Sequence, residues 1–329
     1  MSNELTARDP SRHLRACLWL IFATLIWGTS FPLIKAIWLV QEKLVPHPPE
    51  FFLSALASVA RFGIAGVLIA IFSVRALCRV TRSELAQGLG LGIFGGLGIL
   101  FQMDALAYIH ASTSAFLTQF TCLFIPLWVA LRHRSWPGVL VIIATLMVLF
   151  GMAILSGVKW GEFKLGRGET ETILSAAFFS GQILWLERPR YAGNRVANFT
   201  VIMFAAITLL IAPIALATAP APRAIVTAYA SWHVVALVGA LAVGCTAGAY
   251  SLMNYWQPHV SATEAGLIYC VEPIFASFFA AVLPGWFSAF AGIHYANENI
   301  TRNLLAGGAL ITMANVLIQI EAWRQRRVR

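Results

Sequence analysis

The chain has 329 residues, of which 59% are hydrophobic and only 11% charged, with a mean hydropathy of +0.76. A soluble domain carries about 25% charged residues, so there is too little polar material to cover a water-facing surface. The net charge of +9 does not call for a nucleic-acid partner either, because its placement along the chain reads as membrane orientation.

Ten apolar stretches have the length that crosses a bilayer. The first, 17–39, is too long for a signal-peptide core and lacks a small-residue cleavage site, so it reads as a retained span. It carries Trp27, a candidate cavity wall, and Lys35, which lies near the outer end three residues after Pro32. Lys35 either snorkels to the interface or serves the outer vestibule, meeting a substrate carboxylate or balancing Asp104. The second stretch, 52–73, holds Arg61 at mid-depth, where an arginine needs a partner. The third, 86–107, contains "GLGIFG" (90–95), which matches a dinucleotide-binding pattern but has no preceding strand and is rejected. Gly88, Gly92 and Gly96 on one face suit close helix packing instead. Asp104 lies near the outer end of this stretch.

The fourth stretch, 112–131, offers Thr118 and Gln119 as neutral cavity groups, and the fifth spans 137–156. The sixth, 172–187, is the shortest and carries Trp185, a second candidate wall. The seventh is 199–217, and the eighth, 233–255, brings Asn254 and Tyr255. The ninth, 262–283, opens on "SATE" (261–264), a capping box in which Ser261 and Glu264 exchange side-chain and backbone bonds near the inner gate. At its middle stands Glu272, directly before Pro273, whose missing donor leaves a polar backbone where a carboxyl can exchange a proton or hold an amine. The alternative is a fixed ion pair with Arg61. The tenth stretch is 303–320.

With the N-terminus cytoplasmic, the cytoplasmic segments hold Arg8, Arg12, Arg15, Arg75, Arg79, Arg82, Arg132, Arg134, Arg188, Arg190, Arg195, Arg324, Arg326, Arg327 and Arg329. The outside loops hold only Lys43, Lys159, Lys164, Arg167, Arg223 and Arg302. This positive-inside bias places both termini in the cytoplasm of a plasma-membrane protein. The five cysteines form no CxxC pair, so neither a disulfide framework nor a metal site is expected, and no cofactor is implied.

A shift of 147 residues places Tyr108 on Tyr255, Ser114 on Ser261, Ala115 on Ala262, Pro126 on Pro273 and Gly92 on Gly239. The expected organisation is an N-terminal tail to 16, a first five-span half over 17–156, a linker over 157–171, a second half over 172–320 and a basic tail over 321–329. Five is odd, so the second half enters the membrane from the opposite side. Inverted repeats of this kind build many secondary transporters around a midplane site. "YIHASTS" (108–114) then faces outside and "YWQPHVS" (255–261) the cytoplasm, which gives one site two gates.

"LIWGTSFPLIKA" (25–36), "ARFGIAGVLIA" (60–70), "ALAYIHASTSAFLTQFTCLFIPLWVAL" (105–131), "SATEAGLIYCVEPIFASFFAAVL" (261–283) and "NENITRNLLAGGALI" (297–311) together resemble EamA-type members of the drug/metabolite transporter superfamily. The resemblance covers nearly the whole chain. It implies an all-α membrane protein of ten helices in two inverted halves that exports amino acids, other metabolites or drugs, and Arg61 falls on the family's Arg-Phe pair. Two departures stand out. "RHRSWPG" (132–138) lacks the family's acid after the fourth span, and the acid after the ninth, Glu298, is delayed by "PGWFSAFAGIHYA" (284–296) within an outer insertion, 284–302. Trp286, Phe287, Phe290, Ile293 and Tyr295 would suit a short interfacial helix, as a partial lid or an ornamented loop.

The expected partners are a small-molecule substrate and the lipid bilayer, with protons joining if Glu272 couples transport and facilitated diffusion if it does not. A cation-efflux pump of the same fold is the near alternative, favoured by aromatic walls around one uncompensated carboxylate. A membrane-embedded enzyme is disfavoured, since there is no HExxH and the only aspartates are Asp9 and Asp104.

Overall fold

The computed structural model describes residues 10–49, 51–134, 138–155 and 166–327. Within them each of the ten apolar stretches contains a helix and there is no strand. Seven helical segments are long and apolar enough to cross a membrane: Ser11–Leu44, Phe52–Leu77, Arg82–Tyr108, Ala111–Arg132, Val196–Ala217, Trp232–His259 and Ala262–Ala291. Two more helices hold shorter apolar runs, Val139–Gly151 and Leu305–Ala314.

The first four elements are α1 (Pro10–Leu44), α2 (Phe52–Leu77), α3 (Arg82–Tyr108) and α4 (Ala111–Thr118). α5 (Thr121–His133), α6 (Val139–Leu155) and α7 (Arg167–Leu186) follow. A short 3-10 turn, Pro189–Tyr191, leads to α8 (Val196–Ala217), α9 (Pro222–Thr227) and α10 (Trp232–Ala240), and a second, Gln257–His259, follows the eighth apolar stretch. A π-helical segment, Leu241–Gly248, then passes directly into α11 (Ala249–Trp256). The chain closes with α12 (Ala262–Tyr269), α13 (Glu272–Ala291) and α14 (Arg302–Arg327).

Glycine spacing explains the central packing. A Cβ at Gly88 would lie 2.6 Å from Ile202, one at Gly92 2.4 Å from Ala206 and one at Gly96 3.1 Å from Leu210, so this face of α3 seats on α8. The interleaved glycines seat the adjoining face on α7: at Gly90, Gly95 and Gly98 a Cβ would meet Trp185, Gln182 and Phe179 at 2.1, 2.4 and 2.6 Å. The rejected "GLGIFG" is therefore the part of α3 that wedges between two helices, as small residues do at membrane helix interfaces. α1 crosses α13 at Gly28, where a Cβ would stand 2.7 Å from Phe275 Cβ, and α2 runs along α8. α6 and α14 pack on each other around Ala144, Val148, Ile311 and Ala314.

Interruptions in the helices matter as much as the helices. The fourth stretch breaks at Gln119–Phe120 and the ninth at Cys270–Val271, which makes Thr121 and Glu272 the first residues of α5 and α13. α3 and α10 begin 150 residues apart and α4 and α12 begin 151 apart, not 147. Ser261 consequently caps α12, whereas Ser114 lies inside α4.

The 284–296 segment also differs from its expectation. α13 simply continues through "PGWFSAF" to Ala291 and stops at Gly292, whose φ of +61° suits glycine. The chain then folds back, with Ile293 and Tyr295 buried and Ser288 bonded to the Tyr295 backbone at 2.8 and 2.9 Å. No separate helix forms there, because an unbroken apolar run extends α13 and the buried pair pins the return.

Candidate functional site

Side-chain contacts define two ends of the bundle: a near end, where α1 begins, and a far end, where it stops. At the near end Thr81 and Glu84 form a capping box that starts α3. Glu84, 1% exposed, also accepts from the Arg195 backbone and Nε at 3.1 and 2.8 Å, from Arg195 Nη2 at 3.0 Å and from Asn198 at 2.9 Å. The second capping box, Ser261–Glu264, forms as the sequence implies, at 2.7 and 3.2 Å. Glu264 also faces His13 Nε2 at 3.3 Å, and Glu187 accepts from the Ala262 backbone at 2.7 Å.

Trp185 sits at this end. Its ring lies against Gly90 and 5.9 Å from Tyr191, under the Arg188 guanidinium at 3.7 Å. Burial, with Arg190 alongside, pushes Arg188 below the ordinary guanidinium range. The expectation that Trp185 walls a cavity is therefore corrected: its ring anchors a helix end.

At the far end Asp104 is 3% exposed and accepts from Arg167 Nη2 at 2.7 Å, Ser54 at 3.1 Å and the Phe51 amide at 3.1 Å. That last bond holds Phe51 in the left-handed region, φ +61°, at the start of α2. Arg167 bonds Glu171 at 2.7 Å and lies between the Phe51 and Tyr108 rings, at 5.0 and 4.6 Å. Asp104 is thus balanced by Arg167 and not by Lys35, because α7 begins beside it. Lys35, half-buried, donates to the Ile109 carbonyl at 2.8 Å, and the charge acting on it is that of Glu298. Glu298 accepts from Ser112 in the first turn of α4, and its amide donates to Ala280 O at 2.9 Å. Lys43 donates to Gly292 O at 2.6 Å, which ties α1 to the same return loop.

Between the ends lies a cavity of about 70 Å³ lined by Trp27, Arg61, Gln102, Thr118, Gln119, Gln182, Tyr250, Tyr269 and Glu272, among others. That volume holds a few waters. The two helix breaks deliver much of its polar wall. Gln119 Nε2 reaches Glu272 Oε2 at 3.5 Å and Ala115 O at 3.3 Å, while Gln102 donates to Thr118 at 3.1 Å. Trp27 is fixed edge-on to Tyr250 and Tyr269, at 5.3 and 5.6 Å between ring centres, and donates to Cys245 O at 3.1 Å. Cys245 belongs to the π-helical segment, where the wider turn leaves its carbonyl for the indole.

Arg61 and Glu272 face this cavity together but form no ion pair within 4.0 Å. Arg61, 2% exposed, donates from Nε to Thr246 at 2.8 Å and points Nη1 at Met103 Sδ from 3.9 Å. A charge at mid-membrane costs at least ~2.5–3.5 kcal/mol on insertion scales, and here two ionisable groups of opposite sign are held without contacting each other. The expected fixed pair is not made, because Thr246 claims Arg61 and Gln119 claims Glu272.

Asn254 and Tyr255 do not line the cavity. Asn254 is buried against Thr200 at 2.9 Å. Tyr255 faces outward into an apolar lateral groove with Trp19, Phe22, Ile69 and Trp256. The polar groups missed from sequence are Gln102, Gln182, Thr246 and the Glu84–Arg195 pair. Only the last had a signal, the "TRSE" capping pattern at 81–84. Among the described residues no group of three or more His, Cys, Asp or Glu is placed to hold a metal ion.

Comparison with known proteins gives three findings. The model of the EamA-like transporter family matches residues 14–157. An uncharacterized transporter from Archaeoglobus fulgidus is 25% identical over 275 residues, covering 83% of this chain and 79% of the relative. A protein of known crystal structure shares the fold with a TM-score of 0.59 at 19% identity, covering 92% of this chain and 98% of the other.

Proposed function

We propose, from the match of residues 14–157 to the EamA-like transporter family, that the chain is a multi-pass membrane transporter that exports small amphipathic metabolites, amino acids among them, by alternating access. The supporting observation is the cavity between two helix breaks, which carries Glu272 and Arg61 unpaired with each other beside Trp27, Tyr250 and Tyr269. In this reading the chain crosses the plasma membrane ten times as two inverted five-helix halves, with the near end and both termini cytoplasmic. The matching breaks at 119–120 and 270–271 support two related halves.

Each end then acts as a gate. Glu187 and His13 hold the first turn of α12 on the cytoplasmic side, and the Ser112–Glu298 and Lys35–Ile109 contacts close the outer side. Opening one set while keeping the other exposes the cavity to one face at a time. Glu272, whose side chain among the described residues meets the Gln119 amide alone, is the group we assign to proton coupling. The aromatic walls favour a cation-efflux pump as second reading, but Arg61 in the same cavity repels a simple cation.

The test is counterflow in liposomes with radiolabelled amino acids, with and without a pH gradient, on the wild type and Glu272→Gln. Gradient stimulation that Glu272→Gln abolishes, with the residual counterflow slowed and indifferent to the gradient, supports proton coupling. Gradient-independent exchange that the substitution leaves unchanged makes the protein a facilitator.

A further inference from the structure

Arg61 is among the largest fully buried side chains of the protein, and among the described residues it has no carboxylate within 4.0 Å. A guanidinium carries five N–H donors in a fixed fork. Nε is satisfied by Thr246, and Nη1 has only a thioether at 3.9 Å, which is a weak acceptor. Nη2 has no hydrogen-bond partner among the described residues. These terminal donors belong to a side chain that lines the cavity.

The fork is also aimed. Thr246 sits in the π-helical segment and donates to Leu241 O, five residues back, at 3.0 Å. Its own proton is thereby committed, and its oxygen is left to accept from Nε. With Nε tethered and the Phe62 ring 5.0 Å from the guanidinium carbon, the outer edge of the fork is left for a ligand. π-helical turns inside α-helices often mark functional positions, and this one places both Thr246 for Arg61 and the Cys245 carbonyl for Trp27.

A planar fork whose Nη1 meets a weak thioether acceptor and whose Nη2 meets none of the described residues matches the two oxygens of a carboxylate. We propose that Arg61 is the carboxylate-binding residue of the transported substrate, oriented by Thr246, so that the cavity selects molecules carrying a carboxylate at Arg61 and an amine at Glu272. This rests on the reading of the cavity as the substrate site. A zwitterion neutralises both buried charges at once. An amine alone leaves Arg61 uncompensated, and an anion alone leaves Glu272 so.

The test measures thermal stabilisation of the purified wild-type protein by each of the twenty L-amino acids, then by the methyl ester and N-acetyl derivative of those that stabilise it. The expected result is that both derivatives bind at least tenfold more weakly than the parent. Arg61→Gln should bring parent and methyl ester to equal, weak binding, and Arg61→Lys should keep part of the preference. Thr246→Val leaves Nε without its acceptor, and on the folded fraction it should reduce the preference for the parent over its methyl ester. A methyl ester as effective as its parent on the wild type overturns the proposal, and this arm needs no variant to fold.

Counterflow of labelled tetraphenylphosphonium separates the failures. If that cation is exchanged while no amino acid binds, transport stands and the role of Arg61 falls. If nothing binds or moves, both fall.

Discussion

The ends of the bundle and its centre treat charge in opposite ways. At the ends two buried carboxylates are each tied to an arginine distant in sequence: Glu84 to Arg195, Asp104 to Arg167. At the centre Arg61 and Glu272 share a cavity and leave each other unpaired. A buried ion pair broken on one side leaves an uncompensated charge and is costly, so the end clusters read as latches between helices. Charges held apart at mid-depth stabilise nothing by themselves, and their place in the cavity marks them for a ligand. Burial and charge alone do not separate the two classes. Partnership does.

The sharpest way to break this comparison is at the centre. Glu272→Gln is expected to slow amino-acid counterflow roughly tenfold to a hundredfold, the equivalent of the ~1.5–3 kcal/mol of a hydrogen bond to a charged group, with thermal stability in detergent unchanged. At the far end the effect should reverse. Asp104→Ala leaves Arg167 and the Phe51 amide without their acceptor and should lower unfolding stability by about 3 kcal/mol, the low end for a broken buried pair because Arg167 keeps Glu171. Counterflow per folded molecule should then be close to wild type.

Smaller changes test the scaffold between the two regions. Gly92→Leu drives a side chain into Ala206, which already stands 2.4 Å from a bare Cβ. Overpacking of this kind costs about 1–3 kcal/mol, read as a lower melting temperature. Asn254→Ala removes one buried interhelical bond to Thr200 and should cost about 0.6 kcal/mol, the average for such bonds in membranes. Because Asn254 lies outside the cavity, its counterflow should match the wild type, and a large loss would move the cavity boundary.

How much of this the sequence shows follows from what each feature depends on. The helices were legible because lipid demands apolar stretches of fixed length, and the glycines of α3 because a four-residue spacing stays on one face. The capping box at 261–264 was legible because it is local. Rotations and partners were not. Trp185 and Asn254 carry the right chemistry for a cavity wall but face other helices, and only packing fixes that. Lys35 and Asp104 lie at corresponding depths, yet Arg167, distant in sequence, reaches Asp104 first. The π-helical segment that orders Trp27 and Arg61 leaves no mark in the pattern of apolar residues.

The most direct measurement is the counterflow rate of Glu272→Gln relative to Glu84→Gln, each normalised to folded protein. The Glu272 variant is expected to melt like the wild type and transport at least tenfold more slowly, while the Glu84 variant melts earlier and its folded fraction transports normally. Equal counterflow rates for the two variants would contradict this.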